Sequence, residues 1–213
     1  MERYDWAEKM TEAAAKNLYL SKRFTSAIDY ARTLHVEQRK GSRVPYMAHL
    51  LGVASLVMGE NGHVEIPITE DMVIAALLHD AAEDHGGMNR LHDIEQNFGR
   101  HVAVMVEGLS DSLADNASEK ERWEERKSAY LRRLEKEPAE VQLISVADKV
   151  HNARTMLEDY RAVGASMWRR FKRGRDLQIW YMKELLKIYR SGVKGRLTDE
   201  FVDLITELEQ IAE

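Results

Sequence analysis

The segment MVIAALLHDAAEDHGG (72–87) is an apolar, alanine-rich run with helical periodicity that ends in His79, Asp80, Glu83 and Asp84. Burying ionisable groups costs on the order of several kcal/mol unless something compensates them. Either this end of the helix emerges into water, or the charges surround a partner of their own. Consecutive helical residues point about 100° apart, so His79 and Asp80 can grip one metal ion only with ligands from other segments. His35, His49, His92, His101 and His151 are the candidate second imidazoles. Among the carboxylates Asp148 stands out, because it interrupts the apolar run VQLISVADKV, where aspartate is rarely buried unpaired. Imidazoles and carboxylates together make a site of intermediate hardness, suited to manganese, ferrous iron or zinc rather than calcium. Glu83 and Asp84 follow one turn later and flank the same region. A metal lowers the pKa of its water towards neutrality, and a nearby carboxylate can orient or deprotonate that water. The helix end is therefore a candidate hydrolytic centre; the alternative is a chance His-Asp pair followed by solvated acids.

The elements that must position these residues read as helices. The three prolines, Pro45, Pro67 and Pro138, fall between helical patterns, as expected when proline marks helix edges. Apolar residues at three- and four-residue spacing predict one or two helices over 13–39, and further helices over 47–60 and 70–84. Thr69 is the expected N-cap of the last of these, and HGGMN its breaker. Helices are also predicted over 91–98, 100–112, 121–136, 139–160, 166–190 and 198–213, with KGSRVPY, NGHVEIPI and the polar LADNASEK as connectors. No stretch alternates with period two. The expectation is an all-α chain forming one domain over 1–213, with a core over about 24–160 and C-terminal helices over 165–213 packed on it.

Composition narrows the classes. An apolar fraction of 44% suffices for a packed core in 213 residues, and 31% charged residues of mixed sign suit salt-bridged surface helices. A net charge of −5 argues against a dedicated nucleic-acid binder but leaves room for a local basic pocket. The absence of cysteine excludes disulfides and thiolate zinc sites, so any metal must be held by His, Asp or Glu. No apolar run is long enough to span a bilayer, and the charged start MERYDWAEKM is unlike a secretory signal. A cytoplasmic protein, compatible with a homo-oligomer, is expected.

Four ordered blocks carry a resemblance: RKGSRVPYMAHLLGVA, AALLHDAAED, FGRHVAVMVEGLSD and VADKVHNARTM. Over 24–157 the chain resembles the HD-domain phosphohydrolases, specifically the (p)ppGpp hydrolase domain of RelA/SpoT-type proteins and stand-alone small alarmone hydrolases. That family's pattern is a basic loop, Pro-Tyr-x-x-His, His-Asp-x-x-Glu-Asp, and Ala-Asp-Lys/Arg-x-x-Asn-x-Arg-Thr. The resemblance implies an all-α bundle, with His49, His79, Asp80 and Asp148 as ligands of a divalent metal, typically manganese. It implies Glu83 and Asp84 as the catalytic acidic pair, Arg39, Lys40 and Ser42 as the phosphate-meeting loop, and Asn152 and Thr155 as nucleotide contacts. The basic loop is one residue longer than the commoner Arg-Lys-Ser-Gly-x-Pro-Tyr form, Leu50 stands where many relatives have proline, and Gly86-Gly87 is similar to the small bacterial hydrolases. With no space for a synthetase domain, a stand-alone hydrolase is expected.

These roles agree with the residue chemistry. A guanosine bearing two pyrophosphates needs a cationic loop on an acidic protein; Arg39 offers bidentate hydrogen bonds and Lys40 a point charge. Asp148, Asn152 and Thr155, at i, i+4 and i+7, share a helix face. His35 reads as structural, His151 as exposed or as supporting a ligand, the alternative being contact with substrate beside Asn152, and His85, His92 and His101 as surface or capping residues. The basic cluster Arg169, Arg170, Lys172, Arg173 and Arg175 reads as a solvated helix face, the alternative being a phosphate-facing wall with Tyr181 reaching the base or ribose. The tryptophans at 6, 123, 168 and 180 read as packing. The expected activity is metal-dependent release of pyrophosphate from the 3′ position of ppGpp or pppGpp, with a small-molecule nucleotide as partner and neither nucleic acid nor membrane. The alternatives are an NADPH 2′-phosphatase or other nucleotide phosphohydrolase, and a non-catalytic nucleotide sensor or partner module.

Overall fold

The computed structural model describes residues 17–114 and 122–211. In chain order it contains α1 (Lys22–Leu34), α2 (Tyr46–Gly59), α3 (Glu70–Leu78), α4 (Ala81–Asp84), α5 (Gly87–Phe98), α6 (Arg100–Leu109), α7 (Trp123–Leu134), α8 (Ala139–Val163), a 3-10 helix (Gly164–Arg170), α9 (Gly174–Gly192) and α10 (Arg196–Gln210). Among the described residues there is no strand, only one isolated bridge between Gln38 and Pro45, so the chain is all-α as expected.

α3 is the centre of the bundle. Each residue from Met72 to Leu78 has zero exposure, and α1, α2, α6 and α8 pack around it. A helix apolar all round is stable only where other helices surround it. Thr69 caps it as predicted, its hydroxyl accepting from the Met72 amide at 3.3 Å, and Glu70 and Asp71 favour the positive end of its dipole. α8, the longest helix, packs against α2, α3, α6, α9 and α10. α10 is tied to it by Arg154–Glu200 (2.5 Å) and Arg161–Glu207 (2.9 Å). Among the described residues no helix is long and apolar enough to cross a membrane.

Several predicted helices are shorter or broken. The first spans only Lys22–Leu34: Ser21 turns its hydroxyl onto the Arg23 amide and fixes the start, and residues beyond His35 fold into a tight loop. In that loop the Arg39 amide bonds the Val44 carbonyl at 2.8 Å and the Tyr46 amide bonds that of Glu37 at 2.9 Å. The predicted 70–84 helix breaks at His79–Asp80. The His79 ring donates from Nδ1 to the Ala76 carbonyl at 2.8 Å, the acceptor that the Asp80 amide would use in an unbroken helix. Asp80 takes φ −94 and ψ −7, and α4 restarts at Ala81. The predicted breaker HGGMN is confined to His85–Gly86, and Met88 and Asn89 belong to α5. The predicted 166–190 helix divides into the 3-10 segment and α9, because Gly174 sits at φ +71, a left-handed value that interrupts the α ladder. Most of LADNASEK and the first four residues of the predicted 13–39 helix lie outside the described residues, as does Trp6.

Truncating the centre should be costly. Leu77→Ala removes a fully buried side chain from α3 and is expected to destabilise the fold by about 2–5 kcal/mol, read as a lower urea midpoint at unchanged slope.

Candidate active site

α2, the break after α3, and α8 bring four ligand-type side chains together. His49 on α2, His79 at the break and Asp148 on α8 are buried, and their donor atoms lie within 4.8 Å of one another. His49 Nε2 is 3.2 Å from Asp148 Oδ1 and 3.7 Å from Asp80 Oδ2. His79 Nε2 is 3.0 Å from Asp80 Oδ2 and 3.7 Å from Asp148 Oδ1. Despite that proximity, His79 Nε2 is buried and makes no well-formed hydrogen bond. The two shorter separations fall within the edges of a coordination polyhedron with bonds of about 2.1 Å, which are roughly 3.0–3.4 Å, and the two of 3.7 Å lie just above them. The set therefore fits a divalent cation.

The surroundings orient these ligands. His79 Nδ1 is held by the Ala76 carbonyl, leaving Nε2 to face the cluster. His49 Nδ1 lies 3.0 Å from His151 Nδ1. Burial holds the His151 imidazole down at about 4, so the ring is neutral, and with the His49 proton on Nδ1 it accepts that proton's hydrogen bond while His49 Nε2 stays open to the cluster. His151 reaches His49 only because residue 52 has no side chain; a Cβ there would lie 2.3 Å from the His151 ring. Tyr46 donates to Asp80 Oδ2 at 2.6 Å, and burial together with the Asp80 charge keeps its hydroxyl protonated. Burial would raise the Asp148 carboxyl, but Lys149 and the two imidazoles outweigh it and hold it well below the usual range.

Glu83 has the opposite environment. It lines a 160 Å³ cavity with His49, His79, Asp80, Asp148 and Lys149. Burial, with the nearby Asp111 charge, pushes its carboxyl up to about 7. Asp111 donates its backbone amide to Glu83 Oε2 at 3.0 Å. Its own carboxylate accepts from Arg126 and Lys127. Although burial opposes ionisation of Asp111, these cations hold it down at about 2. Two acids in contact are thus set apart by charge, one poised near neutrality and the other fixed as an anion. Asp84 is exposed and does not line this cavity.

The cavity opens into a 360 Å³ cleft that gathers Arg39, Lys40, Ser42, Asn152 and Thr155 with Trp123, Lys127, Lys149, Arg170 and Tyr181. Asn152 donates to Asp148 Oδ1 and accepts from Arg39, each at 2.5 Å, so the basic loop is locked to α8 beside the cluster. Ser42 braces the loop, donating to the Arg39 carbonyl at 3.2 Å and accepting from the Val44 amide at 3.2 Å. The basic cluster is not one helix face. Arg170 pairs with Asp159 and lines the cleft, Arg173 lies 3.6 Å from Glu124, and Arg175 donates to the Glu209 carbonyl at 2.8 Å. Trp168 is buried, whereas Trp123 and Trp180 pack against each other with ring centres 6.4 Å apart.

The matched family description is the HD domain, over residues 27–171. The chain belongs to the HD-domain family. Among relatives of this HD domain, the bifunctional (p)ppGpp synthase/hydrolase SpoT of Escherichia coli is 33% identical over 141 residues, covering 63% of this chain and 18% of that protein. The chain thus spans less than a fifth of that relative's length. The Drosophila melanogaster guanosine-3′,5′-bis(diphosphate) 3′-pyrophosphohydrolase MESH1 is also 33% identical over 141 residues, covering 65% of this chain and 72% of that protein. The solved structure of a metazoan orthologue of SpoT superposes with a TM-score of 0.69 at 24% identity, over 89% of this chain and 97% of that one. A Listeria monocytogenes protein superposes at 0.63 with 30% identity, over 76% and 99%.

Sequence reasoning gave no role to Tyr46, Asp111, Lys127 or Lys149, though Tyr46 and Lys149 lie inside the Pro-Tyr-x-x-His and Ala-Asp-Lys patterns. His151 stood open between exposure and support of a ligand, and the structure places it on His49. Asp111 had no local signal, because its partners Arg126 and Lys127 come from α7.

Two outcomes follow. Gly52→Ala displaces His151 from His49 and is expected to weaken divalent-metal binding by about 10–100-fold, measured by calorimetric titration of chelator-stripped protein. Because Glu83 titrates at about 7 in the fold against 4.5 for the free group, its favourable contribution is complete below pH 4.5 and lost as pH rises through 7. Glu83→Gln should therefore stabilise the metal-free protein by about 1–3 kcal/mol at pH 8, with the gain vanishing near pH 4.5, as read by urea unfolding at both values.

Proposed function

We propose that this HD domain is a metal-dependent hydrolase that removes the 3′-pyrophosphate of ppGpp or pppGpp, yielding GDP or GTP and pyrophosphate. The observation that carries this reading is the convergence of His49, His79, Asp80 and Asp148, with His79 Nε2 lacking a hydrogen bond, beside a cation-rimmed cleft. The names borne by the Escherichia coli and Drosophila relatives supply the substrate. These four residues hold the metal, read as manganese because mixed imidazole and carboxylate donors suit it. When bound, it supplies Lewis acidity at the phosphoryl oxygens and brings water into a reactive state.

The protein's own groups do the rest. Arg39, Lys40 and Lys127 bind the polyphosphate, with Ser42 bracing the basic loop. Asn152 and Thr155 contact the nucleotide along α8. Glu83, poised near neutrality, receives a proton of the attacking water as its oxygen bonds to phosphorus and the bond from phosphorus to the 3′ oxygen breaks, and the departing 3′ oxygen takes up a proton from solvent to become the 3′-hydroxyl. Asp84 supports it from the rim. Lys149 and Tyr46 hold Asp148 and Asp80 as anions and keep them oriented. We read the whole chain as one domain, since α9 and α10 pack on α8, and a cytoplasmic location follows from the nucleotide substrate.

The test incubates manganese-loaded protein with ppGpp, pppGpp, NADPH and mononucleotides. Pyrophosphate release from ppGpp or pppGpp alone, lowered about 10²–10⁴-fold by Glu83→Gln, is expected. The rate of the wild type should fall as pH drops below about 7, since the base works only when ionised. Phosphate release from NADPH instead would transfer the site to a 2′-phosphatase, and silence towards every nucleotide with metal bound would overturn catalysis.

A further inference from the structure

A second group of metal-ligating side chains lies outside the centre just described. His35 ends α1, Glu37 lies three residues after that helix, and His85 ends α4. Their donor atoms fall within 4.8 Å of one another. His35 Nδ1 is 2.9 Å from Glu37 Oε1 and 3.2 Å from His85 Nε2, and His85 Nε2 is 3.7 Å from Glu37 Oε1.

Hydrogen bonding accounts poorly for this convergence. A proton on His35 Nδ1 can point at Glu37 or be shared with His85, but it leaves the carboxylate and the second imidazole as adjacent acceptors. If His85 Nε2 carries the proton towards His35, the His35–Glu37 contact becomes a meeting of two lone pairs. One cation satisfies all three contacts at once; polyhedron edges for bonds of about 2.1 Å are roughly 3.0–3.4 Å, and the separations of 2.9, 3.2 and 3.7 Å bracket that range. Among the described residues Glu37 pairs with these two imidazoles and with no lysine or arginine. The backbone of His85 is fixed by Arg90, whose Nε donates to the His85 carbonyl at 2.9 Å. The side chains of Glu37 and His85 remain 40% and 28% exposed, which leaves a path for an ion and its waters.

We infer that His35, Glu37 and His85 form a second divalent-cation site, of the two-imidazole, one-carboxylate type that suits zinc and its first-row neighbours. It lies behind the first centre: the His35 ring stacks on Tyr46, with centres 4.9 Å apart and planes 10° from parallel, and Tyr46 donates to Asp80. A cation there fixes the His35 ring and thereby the tyrosine that orients a ligand of the first site. The site stands whether or not the first one hydrolyses ppGpp.

The experiment counts zinc bound by full-length, chelator-stripped protein after equilibrium dialysis, using elemental analysis. The wild type is expected to retain two equivalents, His85→Ala and Glu37→Gln one each, Asp148→Ala one, and the His85→Ala/Asp148→Ala pair none, with circular dichroism verifying the fold of each variant. Both single substitutions lie at partly exposed positions, so loss of fold in one leaves the other to decide. One equivalent or fewer in the wild type, or two retained by either folded single variant at the second site, overturns the inference.

Discussion

The hydrogen bond from the His79 ring to the Ala76 carbonyl is the contact on which the site depends. It takes a backbone acceptor from the helix ladder, and the chain turns through Asp80 before α4 begins. An unbroken helix would point His79 and Asp80 about 100° apart; after the turn, Asp80 Oδ2 and His79 Nε2 lie side by side. The same bond fixes which ring nitrogen faces the cluster. The turn can be held this way because Met72–Leu78 of α3 are fully buried and the helix cannot rotate to relieve it.

Around that turn, charge is distributed so that similar groups take different states. Asp148 and Asp111 are buried acids held as anions by lysine and arginine. Glu83, a few ångströms away, has burial and a neighbouring anion acting against its ionisation and sits near neutrality. An acid that can exchange a proton at neutral pH beside acids that cannot is what the proposed hydrolysis would use, and of the acidic pair Glu83 lines the inner cavity whereas Asp84 is exposed. Part of the free energy of burying Glu83 is a stability cost, which the proposed activity makes necessary.

Much of the fold was legible because its signals are local. Helical periodicity, the Thr69 cap and the placement of Pro45 and Pro138 fixed the all-α class and most helices to within a few residues. The errors were equally physical: a break set by the His79 side chain bonding a backbone carbonyl of its own helix, and a 3-10 segment separated from α9 by a turn that closes at Gly174, have periodicity indistinguishable from a continuous helix. The ordered motifs pointed to His49, His79, Asp80, Asp148, Arg39 and Asn152, which the structure brings together. Asp111 and the pairing of His35, Glu37 and His85 could not be read, since each depends on contacts between residues far apart in sequence.

By itself, the sequence determined the helical class, the absence of thiolate chemistry, and a set of residue types able to bind a metal and a polyphosphate. Only the tertiary structure decided which imidazole nitrogens face inward, which carboxylate titrates near neutrality, and which histidines meet outside the first cluster. The reason is that residue type sets what a group can do, whereas burial and the charges within a few ångströms, supplied by other helices, set which of those states it adopts.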